Sequence, residues 1–267
     1  GILFELSYNL SAGHSFLPEE KLIAATTQLL SVAPETVQKG LAQAQEAQRV
    51  VVDQLAGIKV DYLPQLTEFA ANSFPQGQDL EPLLRQAAEE SGLHYSAQQE
   101  QAIREAASSG LLLITGGPGT GKTTVLRGIL NLLGNMQLHY LLAAPTGRAA
   151  KRLSEVTGED ASTIHRLLES GIDPATGKMV FARDEDNPLK CDAVVVDEMS
   201  MVDVLLLSSL LRAIPKGKRL ILVGDPDQLP PVGPGFPFSD MLRSGRLPTV
   251  CLTEIFRQAQ KSLIVMN

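Results

Sequence analysis

The stretch from Leu111 to Thr124 constrains this chain more than any other. An apolar run ends at Thr115, a glycine-rich turn follows, and Lys122, Thr123 and Thr124 open a helical pattern continued by Val125, Leu126, Ile129, Leu130 and Leu133. The order is strand, loop, helix. Gly116 to Thr123 satisfies G-x-x-x-x-G-K-S/T, a loop that wraps backbone N–H groups around phosphates while its lysine reaches the outermost ones and its hydroxyl meets magnesium. The helix N-terminus adds its dipole. Glycine is needed at Gly116, Gly119 and Gly121, where a Cβ would block the tight turn or the approach of phosphate oxygens. The alternative is a chance glycine-rich turn, and the flanking strand and helix weigh against it. The stretch predicts a nucleoside-triphosphate site. Gly117, Pro118, Gly119, Thr120, Gly121, Lys122, Thr123 and Thr124 surround the phosphates, with Lys122 on the β- and γ-phosphates and Thr123 as a magnesium ligand.

A chain of 267 residues allows one large domain or two of ordinary size, and two is the reading adopted. An apolar share of 44% can supply real cores. No apolar run approaches the length of a membrane helix and no signal sequence opens the chain, so a cytoplasmic protein without membrane contact is expected. Cys191 and Cys251 lie far apart without metal-ligand spacing, and both read as small core residues. A formal net charge of −7 argues against a generally basic nucleic-acid coat, so any DNA contact must be local.

Residues 1–94 read as a mainly helical accessory domain and residues 95–267 as the domain built on the phosphate loop. Leu3, Leu6 and Leu10 have helical spacing. Pro18, Glu19 and Glu20 start a second helix, and Pro34 and Glu35 a third, with Val37, Leu41 and Ala44 on one face. The period then changes: residues 50–52 and Ile58 to Tyr62 read as two short strands joined at Ala56 and Gly57. Helices followed by a hairpin point to a winged-helix-like unit. It serves either as a packing brace or as a DNA- or partner-contacting accessory, and the lack of a basic face on the third helix favours the brace.

Ser96 caps a further helix that carries Gln99 on its first turn, just before the phosphate-loop strand. A glutamine there can hydrogen-bond an adenine edge, although glutamines on helix surfaces commonly do no such thing. Leu138 to Ala144 reads as a buried strand, and the turn after it carries Pro145, Thr146, Gly147, Arg148, Lys151 and Arg152, the clearest positive patch in an acidic chain. A solvated helix start explains that patch equally well. Ser162 to Leu168 begins another short helix with Thr163, His165 and Arg166 near its start, and a polar excursion runs from about Gly171 to Lys190. Ala193 to Val196 is a buried strand ending in Asp197 and Glu198; downstream of a phosphate loop this puts Asp197 where it can hold magnesium and Glu198 where it can act as base on the attacking water. Leu220 to Gly224 ends in a proline-rich turn whose Gln228 can report on the γ-phosphate. A last strand, Thr249 to Leu252, leads to Arg257, a candidate γ-phosphate contact of the arginine-finger kind or an ordinary surface residue.

Together, Gly116 to Thr124, Ala144 to Ala150, Asp197 to Met201, Gly224 to Val232 and Leu252 to Gln258 resemble the ordered motifs of RecD-like superfamily-one DNA helicases, over about residues 95 to 260. The resemblance implies an α/β fold, a RecA-like P-loop parallel sheet that hydrolyses ATP with magnesium and tracks along single-stranded DNA from five-prime to three-prime in recombination or repair. It makes Gln99 the adenine-reading residue, Asp197 and Glu198 the magnesium and water residues, and Gln228 and Arg257 γ-phosphate sensors. It places Pro145, Thr146, Arg148, Thr163 and His165 on the DNA strand, and makes other helicase or nuclease subunits candidate partners, as in exodeoxyribonuclease V. Such helicases use a second RecA-like domain, and nothing after Arg257 is long enough to be one. A helicase fragment that does not unwind alone is therefore expected. The competing reading is a nucleotide-dependent switch or assembly ATPase. A guanine-reading Asn-Lys-x-Asp sequence is missing from the chain, and the basic turn at Arg148 to Arg152 favours DNA.

Overall fold

A computed structural model describes residues 2, 17–47, 51–55, 58–62, 64–74, 80–92, 94–174, 177, 179–233 and 235–254. The N-terminal region runs β1 (Leu17–Pro18), α1 (Glu19–Leu30), α2 (Pro34–Glu46), β2 (Val51–Leu55), β3 (Ile58–Tyr62), α3 (Pro64–Ala71) and α4 (Leu80–Ser91). Pro18 stands just outside α1 as its N-cap, with Glu19 and Glu20 in the first turn where their charge favours the helix dipole. Pro34 opens α2, whose Val37 and Leu41 are buried. β2 and β3 form the expected antiparallel hairpin, Leu55 opposite Ile58. β1 pairs with the other side of β3, a third strand too short to leave a periodic signal. The helix expected around Leu3, Leu6 and Leu10 lies outside the described residues.

The rest of the chain runs α5 (Ala97–Ser108), β4 (Leu111–Gly116), α6 (Lys122–Asn135), β5 (Tyr140–Ala144), α7 (Gly147–Thr157), β6 (Ala161–Thr163), α8 (Ile164–Leu167), β7 (Ser170–Ile172) and β8 (Met179–Phe181). It continues with β9 (Ala193–Val196), a 3-10 turn (Met199–Met201), α9 (Val204–Ala213), β10 (Arg219–Gly224), α10 (Pro237–Ser244) and β11 (Thr249–Leu252). Six strands make one parallel sheet in the order β11-β4-β10-β9-β5-β6. This is the RecA-like α/β architecture expected. β4, β9 and β10 are buried along their whole length, as continuous apolar strands between two helical layers must be.

Successive side chains of these strands enter opposite layers. Leu112, Ile114, Val195 and Val223 pack with Ile103 of α5 and Leu126, Ile129 and Leu133 of α6. Leu111, Leu113, Val194 and Leu222 pack with Leu207 and Leu210 of α9 and with Phe238 of α10. α3 and α4 also join these layers, through Phe69 in the second and Ala87 in the first. At the N-terminal edge of the sheet the buried Arg219 donates from Nε and Nη2 to the Ala107 carbonyl at 3.3 and 3.0 Å and stacks 3.7 Å from the Phe74 ring centroid.

Three details differ from the sequence reading. β6 is an edge strand where a helix start was expected, because Ala161 to Thr163 extend alongside β5 before Thr163 caps α8. The polar excursion contains an antiparallel hairpin, β7 with β8, pairing Ile172 with Met179. Cys251 is exposed while Cys191 is buried, since β11 is an edge strand that turns only Val250 and Leu252 inward. Among the described residues, no helix is long and apolar enough to cross a membrane.

Candidate active site

Six parallel strands bring six carboxyl ends to one edge of the sheet, and the chain leaves each by a loop. In sheet order these exits are Thr253 after β11, the loop from Gly116 after β4, Asp225 after β10, Asp197 after β9, Pro145 after β5, and α8 after β6. Among the described residues, those read from the sequence as nucleotide-contacting at this edge follow β4, β10 and β9, on one half of it. Those read as strand-contacting occupy the other.

The phosphate loop is built as its glycines demand. Gly119 and Gly121 take φ of 80° and 84°, in the left-handed region. Thr120 is buried and its Oγ1 donates to the Gly117 carbonyl at 2.9 Å, closing the loop on itself, while Pro118 and Gly119 remain exposed. Gly121 caps α6, whose first turn holds Lys122, Thr123 and Thr124 and leaves backbone N–H groups without helical acceptors. Thr123 is exposed at this end.

Lys122 does not point into solvent. Its Nζ donates to the Gly116 carbonyl and, at 3.1 Å, to that of Gly117, and lies 3.8 Å from Asp225 Oδ2. Asp225 is 1% exposed, and its other oxygen accepts the Asp227 N–H at 3.1 Å. The ammonium is thus held at the loop by groups that a phosphate would replace.

Asp197 follows β9 with its N–H on the Ala143 carbonyl at 3.0 Å and its Oδ1 accepting the Glu198 N–H at 2.8 Å. Burial pushes its carboxyl up to about 6, with the neighbouring Glu198 charge adding to the rise, while the Glu198 N–H, Lys122 and Arg152 oppose it. Glu198 has φ 56° and ψ 39°, a left-handed conformation for a residue with a Cβ. The strain turns the chain sharply at the strand end. A hydroxyl and a carboxylate near a triphosphate are hard oxygen donors of the kind magnesium takes, since it keeps several waters and needs few protein ligands.

Gln99 is 1% exposed. Its Oε1 accepts the Ser96 N–H at 3.0 Å and its own N–H meets Ser96 Oγ at 3.4 Å, a complete capping box. The remaining donor, Nε2, is buried without a hydrogen-bond partner. Gln228 is exposed on the turn after β10, its backbone N–H bonded to the Asp225 carbonyl at 3.1 Å. Arg257 lies outside the described residues.

On the other half of the edge, Pro145 is half-buried, Thr146 caps α7 by accepting the Ala149 N–H at 3.2 Å, and Arg148 is exposed beside it. Thr163 caps α8 by accepting the Arg166 N–H at 3.1 Å. The His165 ring lies against Phe181 of the β7–β8 hairpin, tilted by 51° with ring centroids 5.9 Å apart, a contact that ties the hairpin to α8. Sequence reasoning assigned no role to Asp225, although it follows a buried strand just as Asp197 does. It also missed Gln98, whose pairing with Thr253 spans 155 residues and leaves no local pattern.

A parallel sheet whose inner strand runs into a phosphate loop, with acids at the ends of the next two strands on one side, Asp225 after β10 and Asp197 after β9, defines a P-loop nucleoside-triphosphatase domain. A family model described as "AAA domain" matches residues 99–234. Over 170 residues the chain is 43% identical to the "ATP-dependent RecD2 DNA helicase" of Deinococcus radiodurans, covering 64% of this chain and 23% of that protein. Over 168 residues it is 41% identical to the "RecBCD enzyme subunit RecD" of Mycolicibacterium smegmatis, covering 54% and 30%. A crystal structure of Pif1 helicase from Candida albicans is similar at TM-score 0.47 and 27% identity, over 65% of this chain and 43% of that one. The chain belongs to this AAA-domain family and, within it, to the RecD-like superfamily-one helicases. It spans between about a quarter and a third of the length of the curated relatives it matches.

Proposed function

We propose that residues 95–267 form an ATP-hydrolysing motor domain which, within a RecD-like helicase, drives five-prime to three-prime movement along single-stranded DNA, with residues 1–94 as an accessory region. The observation that carries the reading is the convergence of Lys122, Asp225, Asp197 and Glu198 at adjoining strand ends, beside a loop shaped for phosphate.

In this reading the triphosphate lies in the Gly116–Thr123 loop against the N–H groups of α6, and Lys122 leaves the Gly116 and Gly117 carbonyls for the β- and γ-phosphates. The unpartnered Gln99 Nε2 donates to the adenine edge. Magnesium, held by the Thr123 hydroxyl and the Asp197 carboxylate, would neutralise charge on the phosphates. Glu198 takes the proton of the attacking water, and its strained backbone fixes the carboxylate at the strand end. Gln228 and Arg257 contact the γ-phosphate and sense its loss.

Pro145, Thr146, Arg148, Thr163 and His165 hold the DNA strand along the same edge, and a conformational change at the γ-phosphate is passed along the sheet toward them. Names of relatives such as "RecBCD enzyme subunit RecD" support partner subunits for the whole protein.

The test is ATP hydrolysis by this chain with and without single-stranded DNA, beside Lys122→Ala and Glu198→Gln. DNA-stimulated turnover lost in both variants supports the motor. Magnesium-ATP binding that neither variant alters, in folded protein, sinks the assignment of this site.

A further inference from the structure

Gln98, one residue before the proposed adenine contact, joins the start of α5 to the chain leaving β11. Its Nε2 donates to Thr253 Oγ1 at 3.0 Å. Its Oε1 accepts the Thr253 backbone N–H at 2.9 Å and the Thr253 hydroxyl at 3.2 Å. Both ends of one amide are committed to one residue 155 positions away.

The clamp stands beside the phosphate loop. Leu252, the residue before Thr253, is in register with Gly116, and its carbonyl oxygen is 2.8 Å from where a Cβ on Gly116 would sit. On the other side Gln99 carries the buried, unpartnered Nε2. Gln98 therefore holds the helix turn that presents this donor against the strand exit that flanks the first residue of the loop. A ligand reaching from Gln99 to Lys122 is read correctly only if those two points keep one separation, and a small misplacement loses the base contact before it loses the phosphates.

We infer that Gln98 and Thr253 form a positioning clamp that sets base specificity at the nucleotide site; this rests on the reading of Gln99 as the adenine contact. The phosphates are gripped by the loop itself, so the clamp acts on the base half of the ligand alone. Without it the chain binds inorganic tripolyphosphate as before and loses part of its preference for ATP over tripolyphosphate and over GTP.

Titration calorimetry with ATP, GTP and tripolyphosphate, each with magnesium, on the wild type, Gln98→Ala, Thr253→Val, Thr253→Ser and Gln99→Ala tests this. Gln98→Ala and Thr253→Val should each weaken ATP about three- to ten-fold, the scale of one or two neutral hydrogen bonds, with tripolyphosphate unchanged. Thr253→Ser keeps the hydroxyl and should bind ATP like the wild type, and Gln98→Ala with Thr253→Val together should be no worse than Gln98→Ala alone. The clamp is overturned if Gln99→Ala weakens ATP selectively while Gln98→Ala and Thr253→Val leave ATP unchanged or weaken ATP and tripolyphosphate alike. If Gln99→Ala itself leaves the preference for ATP over tripolyphosphate intact, the adenine reading fails and the clamp falls with it.

Discussion

Lys122 and Asp225 face each other across the mouth of the phosphate loop, Nζ to Oδ2 at 3.8 Å, with the carboxylate side chain 2% exposed and the lysine side chain 15%. The same carboxylate holds the turn that carries Gln228, through the Asp227 N–H, and the Asp225 carbonyl accepts the Gln228 N–H. One buried acid thus touches the residue that would meet the phosphates and the turn that would sense them.

Asp225→Asn keeps an oxygen for the Asp227 N–H and removes the negative charge that competes for Lys122. A triphosphate then meets one fewer like charge and a less occupied ammonium. The expected outcome is tighter binding of metal-free ATP, by roughly three-fold or more, as the attraction within a largely buried ion pair is withdrawn. Calorimetric titration in chelator checks it. Weaker binding would show that Asp225 helps Lys122 more by orienting it than it hinders by charge.

Gly116 and Gly117 separate steric need from mere proximity. A Cβ on Gly116 would meet Thr120 Oγ1 at 2.6 Å and the Leu252 carbonyl oxygen at 2.8 Å, and the second is backbone that cannot swing aside. A Cβ on Gly117 would meet nothing within 4 Å. Gly116→Ala should cost on the order of 2–3 kcal/mol in the ligand-free protein, while Gly117→Ala changes it by less than about 0.5 kcal/mol. Urea unfolding of both variants measures the difference.

Much of this was legible because local chemistry and tertiary placement agree. Leu111 to Gly116 and Ala193 to Val196 are buried on both faces, so their sequences are continuous apolar runs, and the loop after β4 needs its glycines in place. At Gln99 the capping box with Ser96 is legible in the sequence, and that pattern arises whether or not the side chain reads a base. Interactions that span the chain left no such trace. Arg219 reads as a polar residue before a strand, and only the fold puts Phe74 and the Ala107 carbonyl around it. The hairpin of β7 and β8 escaped because Ile172, Met179 and Val180 are exposed, which breaks the link between apolar alternation and burial that the reading relies on.

The raised pKa of Asp197, about 6 against an ordinary 3.8, carries a defined pH dependence. Between about pH 4 and pH 6 the unfolded chain ionises this carboxyl while the folded one retains its proton. The folded state then binds more protons, so stability of the ligand-free protein falls as pH rises through that window and stays lower above it. The loss of stability is on the order of 2–3 kcal/mol for a rise from 3.8 to about 6. Asp197→Asn removes it. Thermal melts of both proteins from pH 4 to pH 8, without metal or nucleotide, should show the variant gaining on the wild type as pH rises, with the difference level above about pH 7. A difference that does not change with pH would mean that the carboxyl titrates normally.

Glu198 offers a direct measure of what the site costs the fold. Its φ of 56° places a side chain with a Cβ in the left-handed region, where glycine is at ease and glutamate is not. Its charge also adds to the rise in the Asp197 pKa. Glu198→Gln removes the charge and keeps the backbone strain; Glu198→Gly removes both. The ligand-free protein should therefore be more stable as Glu198→Gly than as Glu198→Gln, by about 0.5–1 kcal/mol after the extra freedom of glycine in the unfolded chain is counted. Chemical denaturation of the two variants reads that difference, and ATP hydrolysis, if Glu198 is the base, is lost in both. Equal stabilities would place the strain elsewhere, in a turn that relaxes with any side chain at this position. A more stable glycine variant with no turnover would show that the protein keeps a strained residue at the strand end because the carboxylate is needed there.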